Sequence, residues 1–177
     1  MNENTAYTSS GRSSEYLRDM CEGWHFGGEA SDASIVTDIS YDDSAWKLVD
    51  IPHTWNVKDA EDGGNDYLRT AFWYRKILEY SQSFSGKKIY LEFNGVNQKT
   101  DLYVNGKHVP YNGGDDYTHK GGYTAFRFDI TDFLVKGQNI LAVKVDNTHD
   151  EAIAPISADF NMCGGIYRRV YLVIADK

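Results

Sequence analysis

The residues best equipped for chemistry in this chain are its carboxylates and histidines. There are 26 Asp and Glu and five His, and two carboxylates held about 5 to 10 Å apart across a sugar suffice to hydrolyse a glycosidic bond. Their spacing does not place such a pair. Asp42-Asp43 and Asp115-Asp116 stand among turn formers, where Asp bonds its own backbone. Asp59, Glu61, Asp62 and Asp66 crowd a stretch around Gly63-Gly64. That cluster could take a Ca²⁺, but the EF-hand spacing is absent and a solvated loop is the favoured reading. His25, His53, His108, His119 and His149 form no HExxH and no pair at metal-ligand spacing, so no metal hydrolase is indicated and no metal or cofactor is expected. There is no GxSxG elbow for a nucleophilic serine and no glycine-rich phosphate loop after a strand. Cys21 and Cys163 are isolated; two reduced thiols are favoured over one disulfide between them. Trp24, Trp46, Trp55 and Trp73 could stack on sugar faces, although buried aromatics in a β-sandwich are the commoner use.

Behind these residues stands an all-β pattern. Ile89, Leu91 and Phe93 alternate with polar neighbours, as do Phe126, Phe128 and Ile130, and Leu141, Val143 and Val145. Period-two alternation is the mark of half-buried antiparallel strands. Trp24–Phe26, Trp46–Val49, Arg69–Glu79, Thr100–Val104 and Ile166–Ile174 complete about eight strands. Asn105-Gly106 predicts a two-residue hairpin turn. Five Gly-Gly pairs, at 27–28, 63–64, 113–114, 121–122 and 164–165, read as turns and bulges. Short helical turns are predicted at Asp42–Trp46 and Thr131–Val135. The 177 residues, 41% hydrophobic and 14% aromatic, are enough for one core. The net charge of −8 speaks against nucleic acid or an anionic membrane as partner. No apolar run reaches the roughly 20 residues of a membrane span, so a soluble chain is expected. The polar opening lacks a signal-peptide core and reads as a flexible lead-in over 1–22, with the sandwich domain over 23–177. The compartment is left open, a periplasmic or secreted parent included.

A series of motifs in order changes what can be said. Gly23-Trp24-His25-Phe26, Asp43-Ser44-Ala45-Trp46, Ile51-Pro52-His53-Thr54-Trp55-Asn56, Tyr67-Leu68-Arg69 and Trp73-Tyr74-Arg75-Lys76 are followed by Leu91-Glu92-Phe93-Asn94-Gly95-Val96 and Val104-Asn105-Gly106. Then come Gly121-Gly122-Tyr123, Phe128-Asp129-Ile130-Thr131, Asn139-Ile140-Leu141-Ala142-Val143-Lys144-Val145, and Asp159-Phe160 before Gly165-Ile166-Tyr167-Arg168. Over residues 23 to 174 the chain resembles the N-terminal sugar-binding domain of glycoside hydrolase family 2, whose members include β-galactosidases, β-glucuronidases and β-mannosidases.

The resemblance implies a jelly-roll β-sandwich of two antiparallel sheets, like a galactose-binding domain, that precedes an immunoglobulin-like domain and a catalytic (β/α)₈ barrel. It also implies that the two catalytic glutamates lie on the barrel, so that this chain holds no catalytic residue and is inactive alone. Its partners would be a carbohydrate and those two domains. By the same resemblance Asp159 reaches the substrate pocket, with Asn161 beside it and Asn65 approaching from another loop. A carboxylate lent in this way would orient sugar hydroxyls by directional hydrogen bonds. Asp62-Gly63-Gly64-Asn65 and Trp73-Tyr74-Arg75-Lys76 resemble the β-galactosidases best. The alternative is a free-standing carbohydrate-binding module. Arg69, Arg75 and Arg168 are read as structural, and His53 and Trp55 as shaping the core and the edge towards the barrel. The loop over 107–118 is longer than usual for the family, and an apolar edge is expected where the barrel would dock.

Overall fold

The computed structural model describes residues 15–59, 61, 67–153 and 163–177. Its strands are β1 (Glu15–Asp19), β2 (Trp24–Gly27), β3 (Lys47–Val49), β4 (Ala71–Glu79), β5 (Lys87–Phe93), β6 (Lys99–Val104), β7 (Lys107–His108), β8 (Thr118–Lys120), β9 (Phe126–Asp129), β10 (Gln138–Asp146) and β11 (Val170–Asp176), with one short helix, α1 (Ala33–Val36). One sheet runs β1-β11-β5-β9; the other runs β3-β2-β4-β10-β6-β7, with β8 also paired to β6. Every strand pairing is antiparallel. This is the sandwich the alternation predicts.

The core lies where the two inner faces meet. Ile89, Leu91 and Phe93 of β5 face it, as do Phe126 and Phe128 of β9, Leu102 and Val104 of β6, and Leu141, Val143 and Val145 of β10. Each large side chain buried this way contributes about 1.5–3 kcal/mol over exposure. The Asn105-Gly106 turn joins β6 to β7 with φ of 52° and 78°, the positive values a tight hairpin turn requires. Cys21 and Cys163 are free thiols, not a disulfide.

β1, which falls within the stretch that the sequence reading leaves as lead-in, pairs with β11 from Glu15↔Ala175 to Asp19↔Tyr171, and Met20 and Cys21 are buried. The predicted helical turn at Asp42–Trp46 is a single turn closed by the Trp46 amide on the Asp43 carbonyl. The turn predicted at Thr131–Val135 is present as a 3₁₀ turn over Thr131–Phe133, and the one α-helix among the described residues is α1, started by Asp32, whose carboxylate accepts the Ser34 amide at 2.7 Å. A side chain bonding its own neighbour's amide satisfies a donor the first turn leaves orphaned.

Asp43 also departs from a turn role. Its carboxylate accepts from Arg75 Nη1 at 2.6 Å, while Nη1 and Nη2 also donate to the carbonyls of Tyr41 and Asp38. Arg75 is 2% exposed. It rivets the 28–46 segment to the outer face of β4, where Trp73 is fully buried against Val36 and Ala142. Asp43→Ala strips a buried guanidinium of its counter-charge and is expected to cost about 2 kcal/mol in urea unfolding. An unchanged midpoint would mean that Trp73 packing alone holds the segment.

Candidate functional site

Asn65, Asp159 and Asn161 all lie outside the described residues, as do Asp62 and Asp66 of the acidic cluster. The structure does describe where the two segments that carry them are anchored, and they share one anchor. It is built on Ile51–Asn56, an irregular stretch laid along 164–166. The His53 amide donates to the Ile166 carbonyl at 2.8 Å, and the Thr54 hydroxyl donates to the Gly164 carbonyl at 2.7 Å. From the other side Asn97 clips the same stretch, exchanging backbone hydrogen bonds with Gly165 and donating its side-chain amide to the Cys163 carbonyl.

Asn56 stands at the centre, wholly buried. Its Oδ1 accepts the Gly164 amide at 2.6 Å and Asn147 Nδ2 at 3.4 Å. Its Nδ2 donates to Asp59 Oδ2 at 2.6 Å and to the Leu68 carbonyl at 3.0 Å. Asp59 also accepts the Leu68 amide, and these hydrogen bonds hold its carboxyl below the usual range. Asn147 closes the circuit, accepting the Thr70 amide and donating to Leu68. The stems of 59–68 and of 147–164 therefore meet on two buried asparagines. Buried polar groups are tolerated when satisfied, and these are.

The only residue type that fits at position 164 is glycine. A Cβ there would lie 2.1 Å from Trp55 Cζ2 and 2.7 Å from Asn147 Nδ2. The Gly164-Gly165 pair, read from sequence as a turn or bulge, is a close approach of two backbones.

Above this anchor five rings gather: Phe26 touches His53, Phe72 and Tyr74, with centroids 4.6–5.0 Å apart, and Trp55 lies 5.0 Å from Phe72. His53 Nδ1 lies 2.8 Å from the Tyr74 hydroxyl. Burial, with nearby Lys47 adding, pushes the His53 pKa down to about 4. At neutral pH His53 is an uncharged wedge rather than a proton donor, as expected of a core-shaping residue. Val57 and Leu68 are 53% and 44% exposed at the rim.

Among the described residues no three His, Cys, Asp or Glu gather to hold a metal ion, and Asp59 Oδ2 is engaged by Asn56 and the Leu68 amide. Arg75 is structural, as read. Arg168 lies over the Tyr167 ring and donates to the Tyr123 carbonyl; Arg69 is exposed. The long 107–118 loop folds back on the core through Tyr111, whose ring meets His119, Phe126 and Phe128. Sequence reasoning quotes Asn56 only as part of a motif and misses Asn147 and Asn97. The one available signal, an asparagine closing an apolar-aromatic stretch, is weak.

The model of the family described as glycosyl hydrolases family 2, sugar binding domain, matches residues 25–175. A β-glucuronidase of Bacteroides fragilis is 43% identical over 132 residues, covering 74% of this chain and 18% of that protein. A β-galactosidase of Thermoanaerobacter pseudethanolicus is 37% identical over 142 residues, covering 78% of this chain and 18% of that protein. The crystal structure of a Bacteroides uniformis β-glucuronidase superposes with a TM-score of 0.80 at 38% identity, over 92% of this chain and 18% of that one. The chain thus spans under a fifth of the length of these relatives.

Proposed function

The chain belongs to glycosyl hydrolase family 2 as its sugar-binding domain, and from that membership we propose that it serves a longer polypeptide as a non-catalytic sandwich that lends loop groups to a glycoside pocket. Asp159, Asn161 and Asn65 are the groups lent, and the catalytic carboxylates belong to a barrel outside this sequence. The observation that carries the reading is the shared anchor: the stems of both segments bearing these residues are tied to the same buried Asn56. Groups that must converge on one sugar gain most from a common rigid base.

For the sugar, a β-glucuronide is favoured over a β-galactoside. One support of the galactosidase reading has another explanation: in Trp73-Tyr74-Arg75-Lys76, Trp73 and Tyr74 are fully buried and Arg75 is a buried rivet. The other support, 62–65, lies outside the described residues. Relatives at 43% and 39% identity carry the glucuronidase name, against 37% for a galactosidase. The test is hydrolysis of p-nitrophenyl β-glucuronide and β-galactoside by the full-length polypeptide. Glucuronide is expected to lead by about tenfold or more in kcat/KM, with this chain alone inactive on both. The reverse order would assign a galactosidase; no hydrolysis of either would overturn the reading.

A further inference from the structure

Resting on that reading, we propose that Asn56 is a positioning residue for the glycoside reaction, fixing the stems of the 59–68 and 147–164 segments relative to each other. A side-chain amide has two donor hydrogens and two acceptor lone pairs, and here all four are spent: two on the first stem (Asp59 Oδ2 and the Leu68 carbonyl), one on the second (the Gly164 amide) and one on Asn147. The amide has one possible orientation, since turning it would set Nδ2 against the Gly164 N–H and Oδ1 against the Asp59 carboxylate. No other side chain of this size offers that set: Asp has no donor when ionised, and Leu has neither. The Leu68 carbonyl draws in three donors, Asn56, Asn147 and Trp55 Nε1, so the first stem is held by the same residues that hold the second. A satisfied buried network of this kind specifies one geometry rather than merely adding stability. Displacement of a reacting group by about 1 Å can cost about a hundredfold in rate.

The test is made in the full-length polypeptide. Asn56→Asp places an oxygen against the Asp59 carboxylate and the Leu68 carbonyl, and kcat/KM is expected to fall by about ten- to a hundredfold. Asp43→Ala, which removes the counter-charge of buried Arg75 elsewhere in the sandwich, is expected to keep kcat/KM within about threefold of wild type. Equal losses of kcat/KM in folded Asn56→Asp and Asp43→Ala overturn the inference in favour of general packing. Asp159→Ala, measured in the same assay, separates the two claims. If Asp159→Ala loses activity while folded Asn56→Asp keeps it, the positioning role falls and the lending of loop groups stands. If Asp159→Ala is silent, the lending itself falls, and the positioning role with it. Should Asn56→Asp fail to fold, Asp59→Ala at the network's edge decides: lost kcat/KM in a folded protein supports the inference, and wild-type kinetics overturns it.

Discussion

Gly164→Ala is expected to destabilise the domain by about 4 kcal/mol, a large share of the 5–15 kcal/mol typical of a domain. The added Cβ would lie 2.1 Å from Trp55 Cζ2 and 2.7 Å from Asn147 Nδ2. Neither neighbour can yield cheaply. Trp55 is fixed between Phe72 and the Leu68 carbonyl, and Asn147 is tied to Thr70 and Leu68. Moving 164 away instead breaks the Asn56 hydrogen bond to its amide and leaves buried polar groups without partners. Gly114→Ala is the control. Gly114 has φ of −106° and open space around it, so alanine there is expected to be neutral or stabilising by a few tenths of a kcal/mol. Thermal or urea unfolding of the two variants checks both; equal stability of Gly164→Ala and wild type would refute the close-approach account.

Acid is expected to weaken the fold well before the carboxylates titrate. Burial depresses both His53 and His119 from 6.5 to about 4. Between those values the unfolded chain binds protons that the folded chain refuses, so stability falls as pH drops from about 6.5 to about 4, by on the order of 2 kcal/mol for each group. Above 6.5 both are neutral in either state and the loss is absent. Asp129 and Asp146 have depressed values, so the stability they contribute is lost only at lower pH. His119 is the sharper probe. It is 4% exposed, stacked 3.5 Å from Phe126, with a buried Nδ1 that has no hydrogen-bond partner. His119→Phe keeps the stack, removes the unpaired nitrogen, and is expected to leave stability at pH 7 equal or higher while halving the slope between pH 6.5 and 4. An unchanged slope would contradict the assignment.

What the sequence discloses here depends on how local the physics is. Alternation in β5, β9 and β10 exposes those strands because burial of one face repeats every second residue. The Asn105-Gly106 turn is equally local. β1 escapes the same reading because it is an edge strand: most of Glu15–Asp19 is exposed, and its place comes from backbone pairing to β11, which no side-chain pattern reports. The Asp32 cap of α1 is legible in principle, but a four-residue helix is held by the Trp73 face beneath it rather than by propensity.

The site is harder still. Asn56 meets Gly164 across 108 positions, and nothing in either neighbourhood announces the other. The motif order does disclose the family, and with it the residues nominated for the pocket. It does not disclose that the segments carrying them rise from one asparagine. Trp73-Tyr74-Arg75-Lys76 shows the converse: a motif that looks diagnostic of substrate is occupied with burying a tryptophan and pinning a loop.

As proposed, this sandwich supplies groups to a shared pocket and holds no complete sugar site of its own. The most direct measurement is an amide NMR titration of the 177-residue chain with glucuronic acid, galactose and lactose into the tens of millimolar. The account predicts no saturable shifts from any of the three. Saturable shifts centred on Trp55, Asn56, Leu68 and Gly164 would contradict it and establish a carbohydrate-binding module complete within this domain.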